Sequence, residues 1–229
     1  MNRVRVITFD MGGTLLHPDP SVGTIYARVM AEHGLHYSAA ELDDAFGRAW
    51  TAATHQPTGR VDADMEKEWW RALVGQVLAD RGYHGDYTAL FEALWEIFAQ
   101  PSSWRLTEHA VVTLETLRRR GYRLGVLSNW DLRLRPLLMR LELDRHFDHL
   151  VISAEVGVEK PDTRIFRHTE ALFAEPPERF LHIGDSDHHD AGGAAAAGWQ
   201  CLLLDHGAET TGRRIGSLDD LLSRLPTIT

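Results

Sequence analysis

An isolated aspartate, Asp10, stands where an apolar segment gives way to a glycine-rich turn. Residues 4–9 are rich in β-branched side chains, and Gly12 and Gly13 follow Asp10 almost at once. The pattern predicts a buried strand that ends in a carboxylate, on a turn where backbone can approach a ligand. In open α/β sheets, ligands bind at this end of the strands. Asp10 is therefore a candidate nucleophile or metal ligand.

Three more polar fragments follow apolar runs that we also predict to be strands. Ser128 and Asn129 offer a hydroxyl and an amide, which are small neutral donors suited to a tetrahedral anion. Lys160 is a point charge that can neutralise a phosphate or orient a carboxylate. Asp185 and Asp190 supply oxygen ligands for a hard cation, such as magnesium. Each fragment is weak alone, but the set, in this order and each at a strand end, favours one site.

The alternation of elements outside residues 17–105 indicates how these side chains come together. Short apolar runs predict strands, and the amphipathic segments between them predict helices. The strands are expected at 4–9, 123–127, 149–153, 180–184 and 200–204, and the helices near 107–120, 131–141, 163–173, 188–197 and 217–224. This order predicts βαβ units, and therefore an α/β fold whose parallel sheet is covered on both faces.

Residues 17–105 differ from the rest because helical patterns dominate them. Helices are expected at about 22–34, 39–54, 64–81 and 86–99, with a looser stretch at 54–60. A helical insertion after the first strand predicts a cap domain, 17–105, above Asp10, while 1–16 and 106–229 form the core domain. Aromatic residues usually fill cores. We therefore expect the core of this bundle to contain the four tryptophans of the segment, Trp50, Trp69, Trp70 and Trp95.

The composition of the chain indicates which kinds of molecule it is expected to bind. The 229 residues carry a formal net charge of −9, which argues against nucleic acid or an anionic membrane as partner. The single cysteine, Cys201, lies in an apolar run, so we expect a buried structural thiol rather than a catalytic one. Neither a signal peptide nor a long apolar span is visible, so we expect a cytoplasmic protein with a small-molecule substrate. Oligomeric state has no visible signature.

The order of the four fragments resembles the haloacid dehalogenase (HAD) superfamily with a helical cap inserted after the first motif, and most closely its REG-2-like group. Asp10 to Leu15 resembles motif I, Ser128 motif II, Lys160 motif III, and Asp185 with Asp190 motif IV. The likeness covers nearly the whole chain outside the cap. It implies a Rossmann-like sheet, an aspartyl nucleophile, a magnesium cofactor and, most often, a phosphate-ester substrate.

The resemblance also implies a role for each residue. Asp10, Ser128, Asn129 and Lys160 would form the catalytic set. Magnesium would be held by Asp10, the carbonyl of Gly12, Asp185 and Asp190. The phosphorylated substrate would be a small molecule whose identity is set by the cap, where no specificity code can be read.

The sequence departs from the phosphatase pattern at Gly12. Phosphatases of this superfamily carry a second aspartate at this position, which protonates the leaving group and later activates water. General acid–base catalysis is typically worth about a hundred- to ten-thousand-fold in rate. We therefore expect weak hydrolysis of alkyl phosphates and faster hydrolysis of aryl or acyl phosphates. Residues that could replace the missing acid are Asp131, His188, His189 and, less directly, His17.

Other activities stay open. Haloacid dehalogenases need no acid, but they use no magnesium, and the Asp185 motif counts against them. Phosphonatases use a cap lysine, and Lys67, the only lysine of this cap, lies in a pattern typical of an exposed helical face. A non-catalytic protein that binds phosphate or metal is the third reading. We expect His182, inside a strand, to be a hydrogen-bonded core residue.

Overall fold

The computed structural model describes residues 3–53 and 63–228, so the looser stretch at 54–60 lies outside the described residues. The chain divides into two compact units. The core unit contains Met1–Leu16 and Leu106–Thr229, and the helical unit contains His17–Arg105.

Six parallel strands form the sheet of the core unit. The strands of the chain are β1 Val6–Phe9, β2 Leu16–Pro18, β3 Trp104–Leu106, β4 Arg123–Ser128, β5 His149–Ile152, β6 Phe180–Gly184, β7 Gln200–Leu204 and β8 Arg214–Ile215. The main sheet has the order β5-β4-β1-β6-β7-β8, while β2 and β3 pair separately. In the centre, Phe9 of β1 is in register with Val126 of β4 and Ile183 of β6. All five strands predicted from apolar runs are therefore confirmed. The two-residue β8 is too short to carry a periodic pattern, and no strand was predicted there.

The α-helices are α1 Val22–Glu32, α2 Ala39–Ala52, α3 Ala63–Asp80, α4 Thr88–Phe98, α5 Ala110–Arg119, α6 Leu134–Arg140, α7 Ser153–Val156, α8 Thr163–Phe173, α9 Gly193–Ala197 and α10 Leu218–Arg224. Apart from the short α7, where no helix was predicted, each helix overlaps a predicted segment. None of the helices in the described ranges combines enough length with enough apolarity to cross a membrane.

The predicted helix 188–197 differs from the structure, because its first part is a π-helix, Asp187–Gly192, that continues into α9. The Ser186 hydroxyl caps this turn by accepting from His189 N–H at 3.1 Å. Glycine is required where the two helices join: a Cβ atom on Gly193 would lie 2.7 Å from the ring of Phe166. Single π-turns often occur at functional sites, and this one carries Asp190.

The helical unit has a hydrophobic core of its own, built mostly of aliphatic side chains with Tyr26 and Phe91. The prediction that the tryptophans fill this core was wrong. Trp50 is 48% exposed, and Trp69, Trp70 and Trp95 are only partly buried against the cluster. Three of these indoles contact one another instead, with ring centroids 5.0 Å apart for the Trp69–Trp70 pair. The aliphatic side chains of the amphipathic helices fill the interior, which leaves the larger indoles at its margin.

Cys201 on β7 is buried, as predicted. Burial raises the pKa of its thiol to about 12, with a further contribution from the negative charge of Asp190. The reactive form of cysteine is the thiolate. The predicted structural role of this residue therefore agrees with its surroundings.

Candidate active site

Asp10 begins the turn that follows β1, and the backbone holds it in place. Its N–H donates to Ile183 O on the neighbouring strand at 2.8 Å. The carbonyl of Met11 accepts from three later N–H groups, which closes the turn. Gly13 has φ +78°, and a Cβ atom there would lie 2.4 Å from Asp185 Oδ2. Only glycine therefore allows the motif I turn and the Asp185 carboxylate to come so close together.

Lys160 links two of the predicted acids. Its side chain is 1% exposed, and its Nζ lies 3.1 Å from Asp10 Oδ1 and 2.5 Å from Asp190 Oδ1. Burial alone would lower the pKa of this ammonium, but the charges of Asp10 and Asp190 outweigh it and raise the pKa above its ordinary value. Lys160 is therefore a permanent cation beside the candidate nucleophile.

Asn129 connects the end of β4 with the loop that carries Lys160. Its Nδ2 donates to Lys160 O at 2.9 Å, and its Oδ1 accepts from Lys160 N–H at 2.7 Å. These paired bonds fasten the loop that carries Lys160 to the end of β4. The amide expected to bind an anion therefore positions the lysine, a relation between residues 31 apart that no local pattern reveals.

Ser128 agrees better with its predicted role. Its side chain is buried, and no hydrogen-bond partner of Oγ is found among the described residues. The hydroxyl is near enough to Asp10 to lower that carboxyl's pKa, although the pair falls short of hydrogen-bond geometry. A buried polar atom without a partner is costly, so Ser128 has a donor available for a ligand at Asp10.

Asp190, predicted to belong to the metal site, accepts from four donors. Oδ1 accepts from Lys160 Nζ and from His182 Nε2 at 2.9 Å, while Oδ2 accepts from the N–H groups of Asp185 and Ser186. Burial would raise the pKa of this carboxyl, but Lys160 and His182 hold it far below its ordinary value. With both oxygens engaged, Asp190 positions Lys160 and the Asp185 loop.

His182 is a fully buried, hydrogen-bonded core histidine, as predicted. Its Nδ1 lies 2.9 Å from the hydroxyl of Thr8, and its Nε2 contacts Asp190. The carboxylate only accepts, so Nε2 carries the hydrogen, and in the neutral ring Nδ1 accepts from Thr8. The Thr8 contact was not foreseen because it depends on β1 and β6 being neighbours.

The three carboxylates offer a place for a cation. Oxygen atoms of Asp10, Asp185 and Asp190 all lie within 4.8 Å of one another. Burial raises the pKa of Asp10, while Lys160 opposes that rise; partial burial and the nearby Asp190 raise the pKa of Asp185. A cation would relieve the cost of keeping these two acids ionised together.

Other groups around the carboxylates agree with a cation site. Thr14, which was not singled out from the sequence, donates to Asp185 Oδ1 at 3.2 Å and so orients it. Among the described residues, no backbone hydrogen bond uses the carbonyl of Gly12. Two carboxylates, one carbonyl and water match the ligands magnesium prefers. The donor set therefore fits that ion, and Asp190, whose oxygens already accept from four donors, lies within 4.8 Å of the other two carboxylates.

The replacement of the missing acid by another side chain stays a prediction, and the structure gives the surroundings of the candidates. Asp131 is buried, but its carboxylate pairs with Arg133 at 2.7 Å. His188 is exposed, and His189 Nδ1 lies 3.3 Å from Ser186 Oγ. These positions agree with a solvated helix N-terminus. His17, at the start of the helical unit, is half-buried.

Lys67 on α3 contacts side chains of the neighbouring helix α4. Its Nζ lies 2.5 Å from Glu92 Oε2 and 5.7 Å from the centre of the Trp95 ring. A lysine that forms a Schiff base must be available to attack a carbonyl carbon, whereas this ammonium is paired with a carboxylate. The surroundings of Lys67 therefore argue against phosphonatase chemistry.

Known proteins resemble this chain along most of their length. A family model described as haloacid dehalogenase-like hydrolase matches residues 4–198. The chain is 35% identical over 206 residues to haloacid dehalogenase-like hydrolase domain-containing protein 3 of Bos taurus, an alignment that covers 88% of this chain and 82% of that protein. It is 31% identical over 218 residues to the rhythmically expressed gene 2 protein of Drosophila melanogaster, with 89% and 84% covered.

A solved structure extends the likeness to the fold. The HAD-hydrolase YfnB from Bacillus subtilis, bound to magnesium, has a TM-score of 0.77 and 19% identity, over 97% of this chain and 98% of that one. The predicted α/β fold and the predicted resemblance to the REG-2-like group are confirmed. The chain belongs to the haloacid dehalogenase-like hydrolase family.

Proposed function

We propose that this hydrolase is a magnesium-dependent phosphate-ester hydrolase that acts through an aspartyl-phosphate on Asp10. The observation that carries the proposal is the Asp10 carboxylate, held 3.1 Å from the buried Lys160 ammonium and beside Asp185. A carboxylate nucleophile needs a cation that keeps it ionised and offsets the charge of the incoming phosphoryl group. Lys160 supplies that charge without magnesium, and a bound magnesium ion would add to it.

Each remaining group has a part in the proposed reaction. Asp10 attacks phosphorus while the ester oxygen departs with its electron pair. Ser128 donates to the transferring group, and Asn129 and Asp190 keep Lys160 in place. Magnesium would be held by Asp10, the Gly12 carbonyl and Asp185. Residues 17–105 would form the cap that selects the substrate.

The missing side chain at Gly12 affects both halves of the reaction. No carboxyl at that position protonates the departing oxygen, so good leaving groups are favoured. Nothing at that position activates the water that hydrolyses the aspartyl-phosphate. The second half should therefore be the slower one, and the phosphorylated enzyme should accumulate.

A phosphatase assay with p-nitrophenyl phosphate and acetyl phosphate tests the proposal. Turnover should require magnesium and should be lost in Asp10→Asn. Asp219→Asn, which changes an exposed acid on α10, is the matched control and should retain activity. A burst of about one p-nitrophenol per enzyme should precede the steady state. Absence of turnover with magnesium present would refute the proposal.

Dehalogenation is the second candidate, and Gly12 is the observation that favours it, since halide leaves without a proton. Asp185 beside Asp10 counts against it, because this reaction needs no carboxylate pair for a cation. Halide release from 2-chloropropionate in the presence of EDTA would decide for dehalogenation. If neither reaction occurs, and magnesium and phosphate still bind, the site is a binding site only.

A further inference from the structure

The indole ring of Trp130 lies next to position 12, where the acid is missing. A Cβ atom on Gly12 would lie 3.4 Å from Cζ3 and 3.9 Å from Cε3 of Trp130. Apart from its chain neighbours, no other described residue comes within 4 Å of that point. The wall beside the missing carboxyl is therefore aromatic carbon.

The backbone of Trp130 is held on both sides. Its N–H donates to Ser153 Oγ at 3.0 Å, and the Ser153 hydroxyl donates to Trp130 O at 3.2 Å. The next residue, Asp131, is buried and paired with Arg133. The indole itself is half-buried, so part of it is accessible. These two bonds fix the backbone position from which the indole projects.

We propose that Trp130 is a specificity-determining residue that selects phosphate esters with an aromatic leaving group. The inference rests on the proposed function and narrows its substrate class. Aromatic rings attract one another in offset-stacked or edge-to-face arrangements. An aryl group bound beside position 12 would contact the indole ring. An alkyl group bound there would gain no aromatic pairing, and position 12 would offer it neither an acid nor a polar donor.

The chemistry of an aryl ester agrees with both features of the site. A bond forms between an Asp10 carboxylate oxygen and phosphorus as the bond from phosphorus to the aryl oxygen breaks. The electron pair remains on that oxygen, and the ring delocalises the charge, so a phenolate departs without a proton. Water then hydrolyses the aspartyl-phosphate, and the phenolate takes up a proton in solution.

Two substrates that both leave without a proton separate the aromatic contact from leaving-group strength. The ratio of kcat/KM for p-nitrophenyl phosphate to kcat/KM for acetyl phosphate should fall about tenfold in Trp130→Leu, since aromatic pairing supplies such a factor. Trp130→Phe, the conservative variant, should keep the ratio within about threefold of the native value. A ratio that is unchanged in Trp130→Leu would overturn the inference.

A measurement on the native protein covers the case in which the variants do not fold. Phenylphosphonate should inhibit turnover of acetyl phosphate about tenfold more strongly than methylphosphonate does. Equal inhibition by the two compounds would overturn the role of Trp130 while Asp10-dependent turnover stands. A native protein that hydrolyses neither ester would instead overturn the proposed function, and this inference with it.

Discussion

Lys160 is the residue around which the site is built. A buried ammonium must be paired, because desolvation of an isolated charge is costly. Asp190 satisfies it on one side, and the Asp10 carboxylate lies on the other. Burial raises the pKa of Asp10, while Lys160, itself held in place, opposes that rise and favours the ionised carboxylate. Asp185 and Asp190 differ in their hydrogen-bond donors. Asp190 accepts from four donors, whereas the Asp185 side chain accepts from Thr14.

Asp190→Asn should destabilise the protein by about 3 kcal/mol at pH 7. The amide nitrogen would replace one carboxylate oxygen, so that its N–H groups would face donors that now have no acceptor. The pKa of Asp190 is held far below its ordinary value. Its contribution is therefore fully present above the unfolded pKa of about 3.9 and is lost as pH falls below that value. Urea unfolding in EDTA measures the difference between variant and native protein, which should shrink below about pH 4.

Asp185→Asn is the matched control for that experiment. The pKa of Asp185 is raised, so its charged form is disfavoured in the folded protein. Its amide variant should unfold at a urea concentration no lower than that of the native protein. Equal losses in the two variants would contradict the positioning role of Asp190.

Gly13→Ala should weaken magnesium binding at least tenfold, because its Cβ would displace the Asp185 carboxylate. It should also lower stability by about 1–2 kcal/mol through left-handed backbone strain. Gly34→Ala is the control: Gly34 also has φ +78°, but open space surrounds it. Calorimetric titration should show native magnesium affinity in Gly34→Ala. Native affinity in Gly13→Ala would refute the assignment of Asp185 as a ligand.

At the scale of elements, parallel strands bring the polar fragments to one edge of the sheet. β1 lies between β4 and β6, so Asp10 is flanked by the segments that follow both. Ser128 and Asn129 follow from β4, and Asp185 follows β6. Lys160 comes from a loop that β5 and α7 lead into, and Asn129 fastens that loop. The π-helix after β6 carries Asp190 to the same place.

Asn129→Ala should lower kcat with little change in magnesium affinity, because Asn129 holds the Lys160 loop and contacts none of the proposed ligands. The loss of two hydrogen bonds, each worth about 1 kcal/mol, corresponds to a fall of roughly tenfold or more. Steady-state kinetics across magnesium concentrations would separate the two parameters. A loss of magnesium affinity with unchanged kcat would contradict the role given to Asn129.

At the scale of the molecule, the chain has two cores. Phe91 lies in the core of the helical unit, and Phe173 lies in a core cluster of the other unit. Both side chains are 1% exposed, so their removal should cost similar amounts of free energy. Because each cluster draws its residues from one unit, we expect each unit to respond mainly to loss of its own core residue.

Phe91→Ala should destabilise its unit by about 3–5 kcal/mol. Hydrogen exchange followed by mass spectrometry should then show faster exchange in α1, α2 and α4, with smaller changes in β1, β4 and β6. Phe173→Ala is the matched variant and should give the reverse pattern. Equal acceleration in both units by both variants would show that the molecule unfolds as one cooperative whole.

Much of this protein could be predicted from its sequence. Apolar periodicity is a local property, so the five strands, the helices and the α/β fold followed from it. Asp10 and Asp185 could be singled out because each directly follows an apolar run, and Lys160 because it lies shortly beyond one; their roles in the site stay predictions. The sequence alone also shows that position 12 has no carboxyl.

Tertiary structure alone decided which groups engage these residues. The bonds from Asn129 to Lys160, the bond from Lys160 to Asp190 and the Trp130 ring beside Gly12 join residues distant in the chain. The packing of the helical unit also placed its tryptophans at the edge of the hydrophobic core rather than inside it. Hydrogen bonds and packing depend on separations of a few ångströms in space, and sequence spacing does not specify those once the chain has folded back on itself.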